Sequence, residues 1–507
     1  MLSTFFGLEL SRRALEAQQN ALDITGHNIA NANTPGYTRQ LPSLKATTPG
    51  VIPGLGHSLS LGTGVTLDYI QRARDNFVDR QYRWESSKQQ YWGARQDSLQ
   101  KIEGLMNEPS DNSLHDDMDK FWNAWSDMSK NPENMGARSV VRERALALTD
   151  SFHHIAQQIT DMKKDLDANV RVQIHQVNVY AQQLQDLNAQ IKRAEVAGDN
   201  PNDLRDQRDA LIDELSKIVS VRVNQDKDPA FTDREVTKYT VMIGNEETTP
   251  PQVLVDDTTL HLLNEPPPPS SNGLPFATVT WADTGATLDL GSKMGSIQAN
   301  MEVRGDIDGA NGYLSSLASQ FDTLAKGIAD AVNALHQKGQ GLTAVSGLDF
   351  FTTLDGSTGV NAANIGINPD LETDLGKIAT GAVPADGSVN VGDGSVAQAI
   401  SSLSGGWAAL DAIPMAATVP AASFGDYYGA NIAQMGVDVQ QANRMKAGQD
   451  VLVTHLSNQR ESYSGVSLDE EMTNLVKFQK TYAAAARMVT MMDDMLDTIV
   501  NRMGMTR

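Results

Sequence analysis

The side chains that could do chemistry in this chain are carboxylates and histidines, because it holds no cysteine. "RGDIDG" at 304–309 sets two carboxylates beside glycines, as a calcium loop does, but lacks the remaining oxygen ligands at loop spacing. "HDDMDK" at 115–120 crowds aspartates around a histidine. Acids there suit a first helical turn, whose free N–H groups attract negative charge. His153 and His154 are adjacent, so on a helix they point about 100° apart and cannot share one ion. Asp469-Glu470-Glu471 and Asp493-Asp494 could supply an acid and a base. Both fall on helical patterns with an apolar opposite face, so the expectation for each is solvated surface. His27 stands at a helix end, where a surface or capping role is expected. HExxH, GxxxxGK[ST] and GxSxG are absent. No catalytic residue, cofactor or metal site is expected, and hence no enzyme.

Composition narrows the partners. The 507 residues have room for several domains, with 40% hydrophobic and 21% charged residues, ordinary for globular protein. A net charge of −22 argues against nucleic acid and anionic membranes, which need a basic patch. No run of eighteen apolar residues occurs, so no membrane insertion is expected. The start, "MLSTFFGLELSRR", lacks the basic region and small-residue cleavage site of a secretory signal.

The elements that would position any site are mostly helical. Leu8, Leu15, Leu22 and Ile29 recur at steps of seven and predict one helical stripe over 2–30. "NIANANTPGYTRQ" then stops it. Asn28, Asn31 and Asn33 favour backbone-bonded turns and tolerate left-handed backbone, while Pro35-Gly36 before Tyr37 suits a type II turn. Alternation in "SLSLGTGVTLDYI" (58–70) predicts strand. Helix is expected from about 74 to 106, and again from 113. A long stripe runs from Phe152 through Leu166, Val170 and Ile174 to Ile191, with an extra step of four across 166–174. Short alternating runs at 221–291 predict an inserted β domain able to close on itself, and 339–425 reads as loops with short elements. At the end, Leu468, Met472, Leu475, Tyr482, Val489, Leu496 and Met503 follow helical spacing, widened by Phe478 and Ile499.

The expected fold class is therefore mainly α with an inserted β domain. Long amphipathic N- and C-terminal helices pair in an elongated, nested, multi-domain molecule. The expected division is 1–64 with 461–507 as one layer, 65–220 and 292–460 as a helical body, and 221–291 as the insert. A terminal helix with a broad apolar stripe has one partner in its own chain, so part of its surface awaits other subunits.

"ALDITGHNIANANTPGYTRQ" (21–40) resembles the N-terminal signature of the flagellar rod, hook and hook-associated proteins, and "SGVSLDEEMTNLVKFQKTYAAAARMVTMMDDMLDTIVNRMG" (464–504) resembles their C-terminal helix. "DYYGANIAQMG" (426–436) and "DFF" (349–351) are similar to members at the hook–filament junction. The resemblance implies a structural adaptor, a ring of copies joining hook to filament. The alternatives are another axial protein (hook or distal rod) and, from a different class, a secreted wall-cleaving enzyme. It also implies assembly residues at Leu8, Leu15, Leu22, Asn28, Ile29, Asn31, Asn33, Pro35, Gly36, Tyr37 and the C-terminal stripe. Implied partners are the chain itself, hook protein, a second hook–filament junction protein and an export chaperone on the C-terminal helix. The flagellar type III export apparatus is implied too, with an extracellular location at the junction reached without a cleaved signal. Purified protein given peptidoglycan or peptide substrates is expected to hydrolyse nothing above buffer level. Turnover abolished by a single Asp or Glu substitution would overturn the structural reading.

Overall fold

A computed structural model describes residues 5–53, 58–106, 113–233, 235–245, 247–267, 274–385, 388–406 and 423–498. The chain opens with α1 (Phe6–Ala30), β1 (Gln40–Ala46), β2 (Gly50–Pro53), β3 (Ser58–Leu61) and β4 (Val65–Arg72). β1 pairs antiparallel with β4, and β2 with β3. Next come α2 (Asn76–Met106), α3 (Leu114–Lys130), α4 (Met135–Ala197) and α5 (Asn202–Ile218). A sheet of β5 (Val221–Lys227), β6 (Thr237–Ile243), β7 (Val253–Asp256) and β8 (Thr259–Leu260) follows. Then come α6 (Ser296–Arg304), α7 (Tyr313–His336), α8 (Pro369–Thr373), α9 (Ser395–Ser402), α10 (Phe424–Ser464) and α11 (Leu468–Asp497).

α4 is the spine. Asn134 caps its start, accepting from Gly136 N at 2.7 Å, and Gly198 ends it with φ 89°. Its stripe serves two cores. Phe152, Ile155, Ile159 and Leu166 pack with α2, α3 and α7, whereas Val170, Ile174, Val177, Ala181 and Leu184 pack with α5 and the sheet. The change falls at the 166–170–174 steps. Four residues turn an α-helix about 40° past a full circle, so each such step swings the apolar face toward the second core. Buried Asp167 sits at the handover. Its Oδ1 accepts from Ala277 N at 2.7 Å and pairs with Arg304, and its Oδ2 accepts from Arg171 Nε at 2.7 Å. Arg304 opens "RGDIDG", so this motif is a joint between cores. Asp306 there accepts from Ala310 N at 2.9 Å, closing the loop on itself.

The β strands do not close on themselves as expected. One four-stranded antiparallel sheet has a single face to bury, and it needs another layer. Tyr239, Val241, Ile243, Leu254 and Val255 find that layer on α4 and α5. Of the 339–425 stretch expected as loops with short elements, 386–387 and 407–422 lie outside the described residues, and the rest up to 406 holds short elements joined by loops. Two short antiparallel pairs form, 351–353 with 365–367 and 339–340 with 381–382. Phe350 and Phe351 pin it down, their rings 5.2 Å from Trp125 and 5.8 Å from Phe121.

His336 closes this region and cannot be charged cheaply. Nδ1 lies 2.7 Å from Leu348 O and Nε2 accepts from Ala379 N at 2.9 Å, so one nitrogen must donate and the other accept. Burial drives its pKa from 6.5 to about 4. Between those values the unfolded chain binds a proton that the folded chain refuses, so stability falls as pH is lowered through that window. The loss is on the order of 3 kcal/mol. Denaturant titrations near both ends of the window are expected to show it in wild type and to show it reduced in His336→Gln. An identical pH slope in the two proteins would contradict the assignment.

Candidate assembly surface

α11 runs antiparallel along α1, so that Gly7 faces Met492 at one end and Asn28 meets Glu471 at the other. Small side chains let the axes approach: Ser11, Ala17 and Ala21 on α1, and Ala485 on α11, are buried. Leu475, Phe478, Val489 and Leu496 are half-buried in the same seam. The predicted stripe of Leu8, Leu15, Leu22 and Ile29 is half-buried at the margin rather than central. α1 also packs against β1 and β4, so its buried side is centred on 17–21–24–28. Leu468 and Met472 do not reach α1. They are 50% and 52% exposed, and Met488, Met491 and Met495 are exposed as well, so α11 keeps apolar side chains uncovered on both flanks of the seam. Tyr482 is exposed at the seam's edge, while Ile499 and Met503 lie outside the described residues.

The turn behaves as its residues dictate. Tyr37 N donates to Thr34 O at 3.2 Å, and Gly36 takes φ 79°, the type II geometry. The asparagines do not use left-handed backbone. Asn31 (φ −101°) instead donates from Nδ2 to His27 O at 3.0 Å, and Asn33, Pro35 and Gly36 are exposed at the tip. Asn28 is different. It is 1% exposed and uses its whole amide. Its Oδ1 accepts from Gln40 N (2.9 Å) and the Tyr37 hydroxyl (2.8 Å), while Nδ2 donates to Gln40 O (2.8 Å) and Glu471 Oε2 (3.1 Å). Arg39 completes the joint through Glu471 Oε1 at 2.8 Å and Glu470 Oε2 at 2.6 Å, and Arg39 N donates to Ser464 O at 2.9 Å. Glu471 is 2% exposed, so the expectation of solvated surface fails for it. The reason is that Arg39, distant in sequence, supplies its counter-charge. Burial, with Asp203, Asp206 and Glu471 nearby, pushes the Tyr37 phenol above its ordinary pKa, keeping it a donor.

A second polar cluster bolts this joint to the body. Arg72 reaches Asp206 (2.7 Å) and Asp209 (2.9 Å), and Arg74 reaches Asp79 (2.6 Å) and Asp209 (3.2 Å). Arg83 holds Asp213 at 2.7 Å and Asp209 at 3.3 Å, and Arg460 bridges Asp79 (3.0 Å) and Asp213 (2.9 Å). Thr38 N donates to Asp206 at 2.9 Å, tying the turn in. Burial raises the pKa of Asp206 despite Arg72. For Asp209, burial pushes upward too, but Arg74, Arg83 and Arg72 together outweigh it and hold the carboxyl below its usual range. Buried ions bound this way act as a lock, since removing one partner strands another. A sequence signal existed: Asp206, Asp209 and Asp213 recur at helical spacing on α5. Among the described residues no group of His, Asp and Glu could hold a metal, and no helix is long and apolar enough to cross a membrane.

Paired termini with uncovered apolar side chains, locked to a two-core helical body, define a structural protein made for packing. Residues 99–351 match the flagellar hook-associated protein FlgK helical domain, 8–38 the flagella basal body rod protein family, and 458–503 the flagellar basal body rod FlgEFG protein C-terminal family. The chain is 34% identical to flagellar hook-associated protein 1 of Bacillus subtilis, over 99% of each chain. It is 27% identical to that of Escherichia coli K12, over 96% of this chain and 98% of the relative. In fold it is similar to the flagellar hook junction protein FlgK from Burkholderia pseudomallei (TM-score 0.60, 14% identity, 76% of this chain and 100% of that one). The chain belongs to the flagellar hook-associated protein 1 family, structural proteins of the bacterial flagellum.

Asn28→Ala strands the Gln40 backbone groups, the Tyr37 hydroxyl and one oxygen of Glu471 at once. The expected cost is about 2–4 kcal/mol, confined to the terminal pair. Limited proteolysis should cut faster around 31–40 and 464–468 while the thermal midpoint of the body holds. Unchanged cleavage there would show that the amide is not the joint.

Proposed function

We propose that this chain is a structural adaptor, a ring of copies that joins the flagellar hook to the filament, and that it is not an enzyme. One observation carries the reading. A chain related along its whole length to hook-associated proteins leaves apolar side chains of its C-terminal helix uncovered, with Leu468, Met472 and Met491 about half exposed. In this reading 1–64 with 461–507 form the inner layer around the export channel, 65–220 with 292–460 form the body, and 221–291 is an outer insert. The assembly residues are those of α1, the turn and α11, with Ile499 and Met503 following in sequence. The hook protein binds one side of the ring and the second hook–filament junction protein the other. The chain leaves the cell through the flagellar type III export apparatus without a cleaved signal, and a dedicated chaperone covers the C-terminal helix until then.

A deletion strain is expected to carry hooks without filaments and to lose flagellin to the medium; normal filaments would refute the adaptor role. Leu475→Asp and Leu496→Asp each place a charge in the seam with α1, at a cost of several kcal/mol if buried. Both are expected to weaken chaperone pull-down and lower filament counts. Binding and filament numbers equal to wild type would mean that the helix face is wrongly assigned.

A further inference from the structure

A groove of about 590 Å³ lies between the start of α2, β5 and the later part of α10, outside the seam and joint described above. Its apolar lining is Phe77, Trp84, Leu452 and Leu456, and Phe77 is 57% exposed. Two guanidiniums, Arg80 and Arg222, stand in it. In a chain of net charge −22, arginines usually find a carboxylate; these two make no ion pair among the described residues. Arg222 has only Met242 Sδ at 3.5 Å, and its buried Nε has no partner. The one carboxylate in the groove, Glu85, is matched by Lys88 at 3.2 Å, so the site keeps a net positive charge. An apolar trough with two unmatched cations fits an amphipathic helix with acids beside its apolar face.

The chain supplies such a helix. The segment "MVTMMDDMLDT" (488–498) has three aspartates and no lysine or arginine. Met488, Met491 and Met495 are exposed on α11, and Asp493 and Asp494 make no ion pair among the described residues. In its own chain α11 lies along α1, antiparallel, with this end beside Gly7 and away from α10. A ring of identical copies needs two different complementary patches on each copy. We propose that the groove between α2, α10 and β5 receives the acidic, methionine-lined end of α11 from a second copy. Thioethers pack on Phe77 and Trp84, and Asp494, on the flank of the methionine face, meets the guanidiniums of Arg80 and Arg222. This rests on the self-assembly reading above but names a surface which that reading does not use.

The absence of native cysteine makes the contact directly measurable. Gln81, in the groove, and Met491 are each changed to Cys in one full-length chain, and hooks isolated from cells are oxidised. A ladder of covalently joined copies is expected from Gln81→Cys/Met491→Cys and none from either single variant. The pair Gly7→Cys/Met492→Cys, which closes within one copy, reports that oxidation worked. A ladder from Gln81→Cys/Met472→Cys instead would place the wrong part of α11 in the groove and overturn the proposal. If the protein is on hooks by immunolabelling yet no ladder forms, the groove contact is wrong and self-assembly stands. If the unmodified chain is absent from hooks, both fail. Arg80→Glu is expected to cut filament counts about tenfold, and Asp494→Arg in the same chain to restore most of them. A double variant no better than Arg80→Glu would also overturn the contact.

Discussion

Glu471 carries a charge almost out of reach of water, and the groups that make this tolerable come from the other end of the chain. Arg39 neutralises one carboxylate oxygen and the Asn28 amide binds the other. A buried carboxylate without them would cost several kcal/mol, so α11 has one register on α1 that satisfies it. A slip of one residue along either helix breaks both bonds. The same amide binds both polar groups of the Gln40 backbone, which sets where β1 leaves the turn. Through Thr38 and Asp206 that turn is fixed to α5, and through Arg460 the cluster reaches α10. Placement of both termini on the body therefore rests on one buried ion and its neighbours.

The seam itself is thin. Along α11 only Glu471 and Ala485 are buried, and most of its apolar side chains remain half-buried or exposed. An amphipathic helix draws most of its stability from the face it buries, so this one is held firmly at its start and weakly toward its end. The body is the opposite case. There α4 threads two full cores, with the Asp167–Arg304 pair between them.

Periodicity made much of this legible before any coordinates. Ser113 as the start of α3, the 3-4 stripe of α4 and its extra step at Leu166–Ile174, and the Pro35-Gly36 turn are local signals, and local physics decides them. What failed was long-range. Asp469, Glu470 and Glu471 look alike in sequence, and only contact with Arg39 separates the last two from the first. The leucines of α1 looked central because they are large, but a helix packed on two sides centres on its small residues, Ala17 and Ala21. The sheet looked self-sufficient because alternation shows that a strand has two faces, not what covers the inner one.

If other copies complete the packing of the two terminal helices, their state must differ before and after assembly. Amide hydrogen exchange of the full-length chain, as verified monomer and again in isolated hooks, measures it most directly. The expected result in the monomer is protection at residues 24–28 and 471–475, fading toward 488–498. In the assembled state it should become strong protection over the whole of α11. Uniform protection of α11 in the monomer, or exchange at 471–475 as fast as at 488–498, would contradict the claim that one buried joint sets the pairing and other copies complete it.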